Sequence, residues 1–197
     1  LMNNMIYNIN NHDNIELAFK KISEGDIIIY PTDTLYGFGV DAVNSSSVEN
    51  LNQLKQRNQV YSIIVSSKKM LYDYIEYFDY QKNIINQFFP GPFTLIFQSS
   101  ENNLSELVNP GLNTLGVRIP NSKFILDVVN LLGRPIITTS VNIHGNEAMQ
   151  NLSEIKSTFN KIPIFHGPDG TNSLGSTILD VTMDEIKTIR LGDGVIS

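Results

Sequence analysis

The side chains best suited to chemistry in this sequence are hydroxyls, an amide and fixed cations. They are Thr34, Lys55, Arg57, Arg118, Ser140, Asn142, Ser176 and Arg190. Such a set suits the holding of carboxylate and phosphate groups, and the stabilisation of negative charge that moves during a transfer. No pair of carboxylates presents itself for general acid and base work. The three histidines, His12, His144 and His166, have no H-x-x-x-H or H-E-x-x-H spacing, and cysteine is absent. That argues against a zinc site and excludes a disulfide or a cysteine nucleophile. No G-x-x-x-x-G-K-[ST] loop occurs, and no G-x-G-x-x-G in a Rossmann setting.

Each candidate also has a plainer role open to it. Lys55 and Arg57 suit the C-terminal end of a helix, where cations are favoured anyway. Arg118 lies between Val117 and Ile119 in an apolar run and must face opposite to them. A charge there needs a partner, so a structural salt bridge and an anion ligand are both open. Ser140 and Asn142 could simply hold a turn, and spacing alone would put Ser176 and Arg190 on the surface.

The elements that must position these residues follow from apolar periodicity and punctuation. A helix is expected over 13–24, capped by Asp13 and ended by Gly25. A strand over 26–31 follows, and its exit is crowded by Thr32, Asp33, Thr34, Gly37 and Gly39. Hydroxyls and bare backbone at a strand end can grip a small polar ligand, or Thr and Asp there can only cap a turn. The pattern Ser46-x-x-Glu49 reads as a capping box opening a helix that delivers Lys55 and Arg57. Further strands are expected over 62–66, 93–97, 115–119, 135–139, 163–165, 177–181 and 186–190. Further helices are expected over 70–78, 82–89, 121–132, capped by Asn121, and 153–159. The stretch 167–175 holds three glycines and reads as a mobile loop. Alternating helices and apolar strands indicate an α/β fold, an open twisted sheet flanked by helices.

Bulk properties are consistent with one soluble domain over residues 2–197. The chain has 197 residues, of which 41% are hydrophobic and 17% charged, and a formal net charge of −6. The acidic balance disfavours a bulk electrostatic nucleic-acid binder, while a local basic pocket stays compatible with it. No apolar run reaches the roughly 18 residues of a membrane span, and no secretory signal pattern opens the chain. A cytoplasmic protein without a membrane partner is expected.

Seven segments, in order, resemble the motifs of the YrdC/TsaC family over about 26–192. Tyr30-Pro31-Thr32-Asp33-Thr34-Leu35-Tyr36-Gly37-Phe38-Gly39 resembles Y-P-T-[DE]-T-x-Y-G-[LF]-G. Lys55-Gln56-Arg57 is similar to K-x-R, and Phe89-Pro90-Gly91-Pro92-Phe93-Thr94 to W-P-G-P-[LV]-T. Gly116-Val117-Arg118-Ile119-Pro120 carries a V-R-x-P element. Thr138-Thr139-Ser140-Val141-Asn142-Ile143-His144-Gly145 resembles S-T-S-A-N-x-S-G. Ser176-Thr177-Ile178-Leu179-Asp180 and Arg190-Leu191-Gly192 resemble S-T-[IV]-x-D and R-x-G.

The resemblance implies a single-domain YrdC-like fold with a concave active-site groove. It implies synthesis of threonylcarbamoyl-adenylate and pyrophosphate from L-threonine, bicarbonate and ATP, with Mg²⁺ accompanying the ATP. A TsaD-type transferase would then move the group to adenosine 37 of tRNAs reading ANN codons, with transient tRNA contact among the implied partners. Carried over by motif, Thr34, Arg118 and Ser176 would bind threonine, Arg118 through its carboxylate. Lys55, Arg57, Thr114, Ser140, Asn142 and Arg190 would bind ATP or the adenylate, with Lys55 and Arg57 the catalytic cations. The sequence departs from the family after Arg57. Asn58-Gln59-Val60-Tyr61-Ser62-Ile63 replaces P-x-x-[KN]-P-L, so the family's polar ATP contact there is expected to be missing. A diverged YciO-like paralogue and an RNA-binding module are the alternative readings.

Overall fold

The computed structural model describes residues 5–56, 58–143, 145–168 and 172–196. Among them a ten-stranded mixed sheet runs in the order β1-β8-β2-β3-β7-β4-β6-β5-β9-β10. Its strands are β1 (Ile6–Asn8), β2 (Ile28–Pro31), β3 (Tyr36–Asp41), β4 (Ser62–Ile64) and β5 (Phe93–Gln98). The remaining five are β6 (Thr114–Arg118), β7 (Ile136–Ser140), β8 (Ile164–His166), β9 (Thr177–Asp180) and β10 (Lys187–Arg190). The helices are α1 (Asp13–Ser23), α2 (Ser45–Lys55), α3 (Lys68–Leu71), α4 (Gln81–Phe88), α5 (Lys123–Leu132) and α6 (Leu152–Thr158).

Strand alternation sends neighbouring residues into two different cores. Ile28, Tyr30, Ile64 and Ile136 join Ala18 and Ile22 of α1 and Phe124, Ile125, Val128 and Val129 of α5. Ile29, Ile63 and Ile137, one position along, join Val48 and Leu51 of α2, Ile85 of α4 and Ile155 of α6. Helices therefore cover both faces, as expected of the α/β class. Gly133 ends α5 at φ +68° in the left-handed region, where glycine is the least strained residue.

Several local expectations are corrected. The residues after β2 form a hairpin: β3 pairs antiparallel to β2, with Tyr30 opposite Gly37 and Pro31 opposite Tyr36. Gly39 explains why this strand looked like a loop. A Cβ there would lie 2.6 Å from Tyr30 Cε1, so a poor strand former is required by the aromatic ring laid across it. The helix expected over 70–78 shrinks to α3, because Ile75 makes a bridge to Ser99 and Glu76 N–H donates to Gln98 O. β1 was not anticipated; it adds three residues in parallel to β8. The caps also move. His12 rather than Asp13 precedes α1, Asn44 rather than Ser46 caps α2 by accepting from Ser46 and Ser47 N–H, and Ser122 rather than Asn121 precedes α5.

Candidate active site

The face that α1 and α5 cover does not end where they do. Beyond Ile136 the same side of β7 presents Thr138 and Ser140, and beyond Ile64 the same side of β4 presents Ser62. Their register partners are Gly39 and Gly37 on β3 and Gly116 on β6. A strip of glycines and hydroxyls leaves space where large side chains would have made core. The resulting groove has a volume of about 450 Å³. Thr34, Gly37, Gln59, Ser62, Thr94, Arg118, Thr138, Ser140, Asn142, Ser176 and Arg190 are among the residues that line it. Tyr30 closes its floor by donating its buried hydroxyl to Thr138 Oγ1 at 2.9 Å, and burial pushes its pKa up to about 12.

Arg118, at the end of β6, is 7% exposed. Nη2 donates to Asp33 Oδ1 at 2.8 Å and to Thr34 Oγ1 at 3.3 Å, while the buried Nε–H has no partner among the described residues. Thr32 fixes the direction of the neighbouring hydroxyls. Its own hydroxyl donates to Leu35 O at 2.7 Å, and it accepts Thr34 N–H at 3.1 Å. The Thr34 hydroxyl, 3.1 Å away, must then be the donor of that pair. Since it accepts from Arg118, it has one lone pair left, and it can offer a ligand only an acceptor.

Across the groove, Thr94 Oγ1 lies 2.8 Å from Ser176 Oγ. Arg190, reaching back from β10, donates to Ser176 O at 2.7 Å. Arg118 and Arg190 are the only charged residues among the described groove lining, in a chain of net charge −6. Arg190's pKa is held below its ordinary value, first by burial and then by the charge of Arg118. Arg118's is lowered by burial against the pull of Asp33. Two cations facing one polar groove, with no carboxylate among its described lining, suit an anion.

Lys55 does not line the groove. It is 1% exposed and sits behind the Ser140 to Asn142 turn, donating to Ser140 O at 2.8 Å and to Asn142 Oδ1. Its ammonium also lies 5.6 Å from the Phe38 ring centre. Ser140 Oγ donates to Asn142 Oδ1 at 3.2 Å, and Asn142 Nδ2 to Asn146 O at 2.8 Å. Sequence reading grouped Lys55 with Ser140 and Asn142, and the structure joins them by hydrogen bonds. Thr114 is not brought to the groove; it stands at the opposite end of β6 from Arg118. Arg57 and His144 lie outside the described residues.

Sequence reading gave no role to Thr94 or Gln59, and took Asp33 only as a residue of the strand exit that could cap a turn. Gln59, in the segment that departs from the family after Arg57, lies on the groove wall, where its Nε2 donates to Thr139 Oγ1 at 3.2 Å. The signal for Thr94 was its place at the end of a proline-glycine turn opening a strand. At the described end of the 167–175 stretch, the loop backbone is tied to two side chains. Gln150 accepts Ser173 N–H and donates to Ser173 O, while Asp193 accepts Ser173 Oγ–H and Leu174 N–H. Gly170 lies outside the described residues.

With this geometry in view, the similarity to known proteins becomes specific. The Sua5/YciO/YrdC family model, described as telomere recombination, matches residues 20–192. The chain belongs to this family. Threonylcarbamoyl-AMP synthase of Wigglesworthia glossinidia brevipalpis is 32% identical over 172 residues, 84% of this chain and 88% of that protein. The structure of Pyrococcus abyssi Sua5 complexed with L-threonine superposes with TM-score 0.87 at 27% identity, covering 95% of this chain and 57% of that one. Escherichia coli YciO superposes equally well, TM-score 0.87 over 96% of both chains; at 23% identity this is a likeness of fold. The chain spans 63% of the length of mouse threonylcarbamoyl-AMP synthase. No described helix is long and apolar enough to cross a membrane.

Proposed function

We propose that this member of the Sua5/YciO/YrdC family is a nucleotidyltransferase that makes L-threonylcarbamoyl-adenylate from L-threonine, bicarbonate and ATP. The observation that carries the reading is a polar groove whose described walls hold two arginines and no carboxylate. Relatives named for this activity support it.

The reaction asks for positioned anions rather than a strong base. The threonine amine adds to the bicarbonate carbon, water leaves, and a carbamate results. A carbamate oxygen then attacks the α-phosphorus, and pyrophosphate departs. Arg118 pairs with the amino-acid carboxylate through a charge-assisted bond. Thr34, fixed as an acceptor, takes a hydrogen from the threonine amine or hydroxyl, and Ser176 lies across the groove at hydroxyl distance from Thr94. Arg190 offers positive charge to the phosphates, Ser140 and Asn142 form the turn they rest on, and Lys55 sets that turn from behind. Arg57 belongs to the same reading as a catalytic cation.

Among the described residues no cluster of three His, Asp or Glu side chains could hold a metal. The groove therefore fits Mg²⁺ only as a companion of ATP, with phosphate oxygens as its ligands. The cellular part of the proposal is a cytoplasmic enzyme that hands its labile product to a TsaD-type transferase acting on tRNA. The test is pyrophosphate release by the purified chain. It should require L-threonine and bicarbonate together with ATP. Release that is indifferent to threonine would point to a diverged, YciO-like activity.

A further inference from the structure

We propose that Asp33 is a positioning residue for amino-acid binding, acting through Arg118 from outside the groove. This rests on the synthase reading above. Asp33 lies on the β2 to β3 turn and is not part of the groove lining; it faces a second cavity on the far side of that turn. Its two carboxylate oxygens are divided between two elements. Oδ1 takes Arg118 Nη2 at 2.8 Å, and Oδ2 takes the backbone N–H of Asn121 at 2.8 Å. The pair is shielded, with side-chain exposures of 8% for Arg118 and 11% for Asp33.

Arginine bound along one side of its planar fork keeps the rest for a ligand. Nη2 is committed to Asp33 and Thr34, and the buried Nε–H is an unsatisfied donor. A bound carboxylate is met by the accessible end of the fork, since Nε–H is closed off from the groove. Asp33 thus fixes the rotation of the guanidinium before substrate arrives. Because Oδ2 is tied to Asn121, that rotation is referenced to the start of α5 rather than to the turn alone. The carboxylate also offsets one of the two groove cations, so an empty groove is less self-repulsive.

A neutral amide cannot reproduce this. Asn at position 33 has one acceptor and one donor end, so either Arg118 or Asn121 N–H would face a donor. Pyrophosphate release by the full chain, with threonine and ATP titrated separately, reads the effect. Asp33→Asn should raise KM for threonine tenfold or more and leave KM for ATP within twofold. Asp33→Glu keeps both acceptors on a longer arm and should raise KM for threonine only two- to fivefold. In an Arg118→Ala background, where turnover is lost, calorimetric titration of L-threonine should show no further weakening from Asp33→Asn. Equal changes in both KM values, or an unchanged KM for threonine in both variants, would overturn the proposal. If Asp33→Asn does not fold, Asp33→Glu alone decides by the same split. Calorimetric titration of L-threonine separates the two readings. Threonine binding by the wild type that weakens in the variants, with no turnover, supports Asp33 and sinks the synthase. No binding by the wild type overturns both.

Discussion

The Lys55 ammonium, at the end of α2, lies 2.8 Å from the backbone oxygen of Ser140, 85 positions later and at the end of β7. Lys55 is buried to 1% exposure and braces the turn that carries Ser140 and Asn142. Removing it takes a charged donor from the half-buried Ser140 carbonyl and leaves Asn142 Oδ1 with the Ser140 hydroxyl alone. Lys55→Ala should destabilise the fold by about 2–4 kcal/mol. It should also raise KM for ATP more than KM for threonine. Urea unfolding and initial-rate kinetics check the two halves.

Arg118→Ala should abolish threonine-dependent pyrophosphate release. It should also cost about 1–3 kcal/mol of stability, because Asp33 is left with only the Asn121 amide. The two measurements separate its roles. Lost activity with a retained, slightly less stable fold supports an anion-binding arginine held by a salt bridge. Near wild-type turnover with lost stability would make it structural.

How far these roles could be read from sequence depended on whether a residue's neighbours were local. Periodic apolar runs placed β2, β5, β6, β7 and α5 within a residue or two, because alternation and helical spacing are properties of the run itself. β3 was missed, since the reason for Gly37 and Gly39 is Tyr30 on another strand. Arg118 was legible as a charge needing a partner, but nothing local identified Asp33 as that partner. The groove set of Thr34, Arg118, Ser140, Asn142, Ser176 and Arg190 came together as the motifs implied. The burial of Lys55 and the bonding of Gln59 to Thr139 depend on contacts between β7 and segments some 80 positions away.

Gly39→Ala tests the hairpin argument. Its Cβ would meet the Tyr30 ring at 2.6 Å, where the ring is buried and its hydroxyl is held by Thr138. Displacing that ring should cost about 1–3 kcal/mol and disturb the groove floor. Thermal unfolding of Gly39→Ala beside the wild type reads out that cost.

Alkaline pH should weaken the fold through Tyr30. Its folded pKa is raised from 10.0 to about 12, so the folded state keeps a proton that the unfolded state loses. The associated stability is complete below pH 10 and drains away as pH rises through 12, by about 2–3 kcal/mol in total. Urea midpoints at a series of pH values should fall across that window. Tyr30→Phe should flatten the fall relative to the wild type.

The end of the glycine-bearing loop should be ordered without ligand. Leu174 N–H is held by Asp193 and Ser173 N–H by Gln150, each at 2.8 Å. Hydrogen exchange at these amides should be slow in the free protein and accelerate in Asp193→Ala. Fast exchange in the wild type would mean that this anchoring opens readily.

The central claim is a groove that joins a carbamylated amino acid to AMP. The most direct measurement is mass spectrometry of a reaction with ATP, L-threonine and ¹³C-bicarbonate. The account predicts an adenylate that carries both the threonine and the labelled carbon, formed in step with pyrophosphate. It also predicts loss of that product in Arg118→Ala. Pyrophosphate without the labelled adenylate, or the same product from Arg118→Ala at wild-type rate, would contradict it.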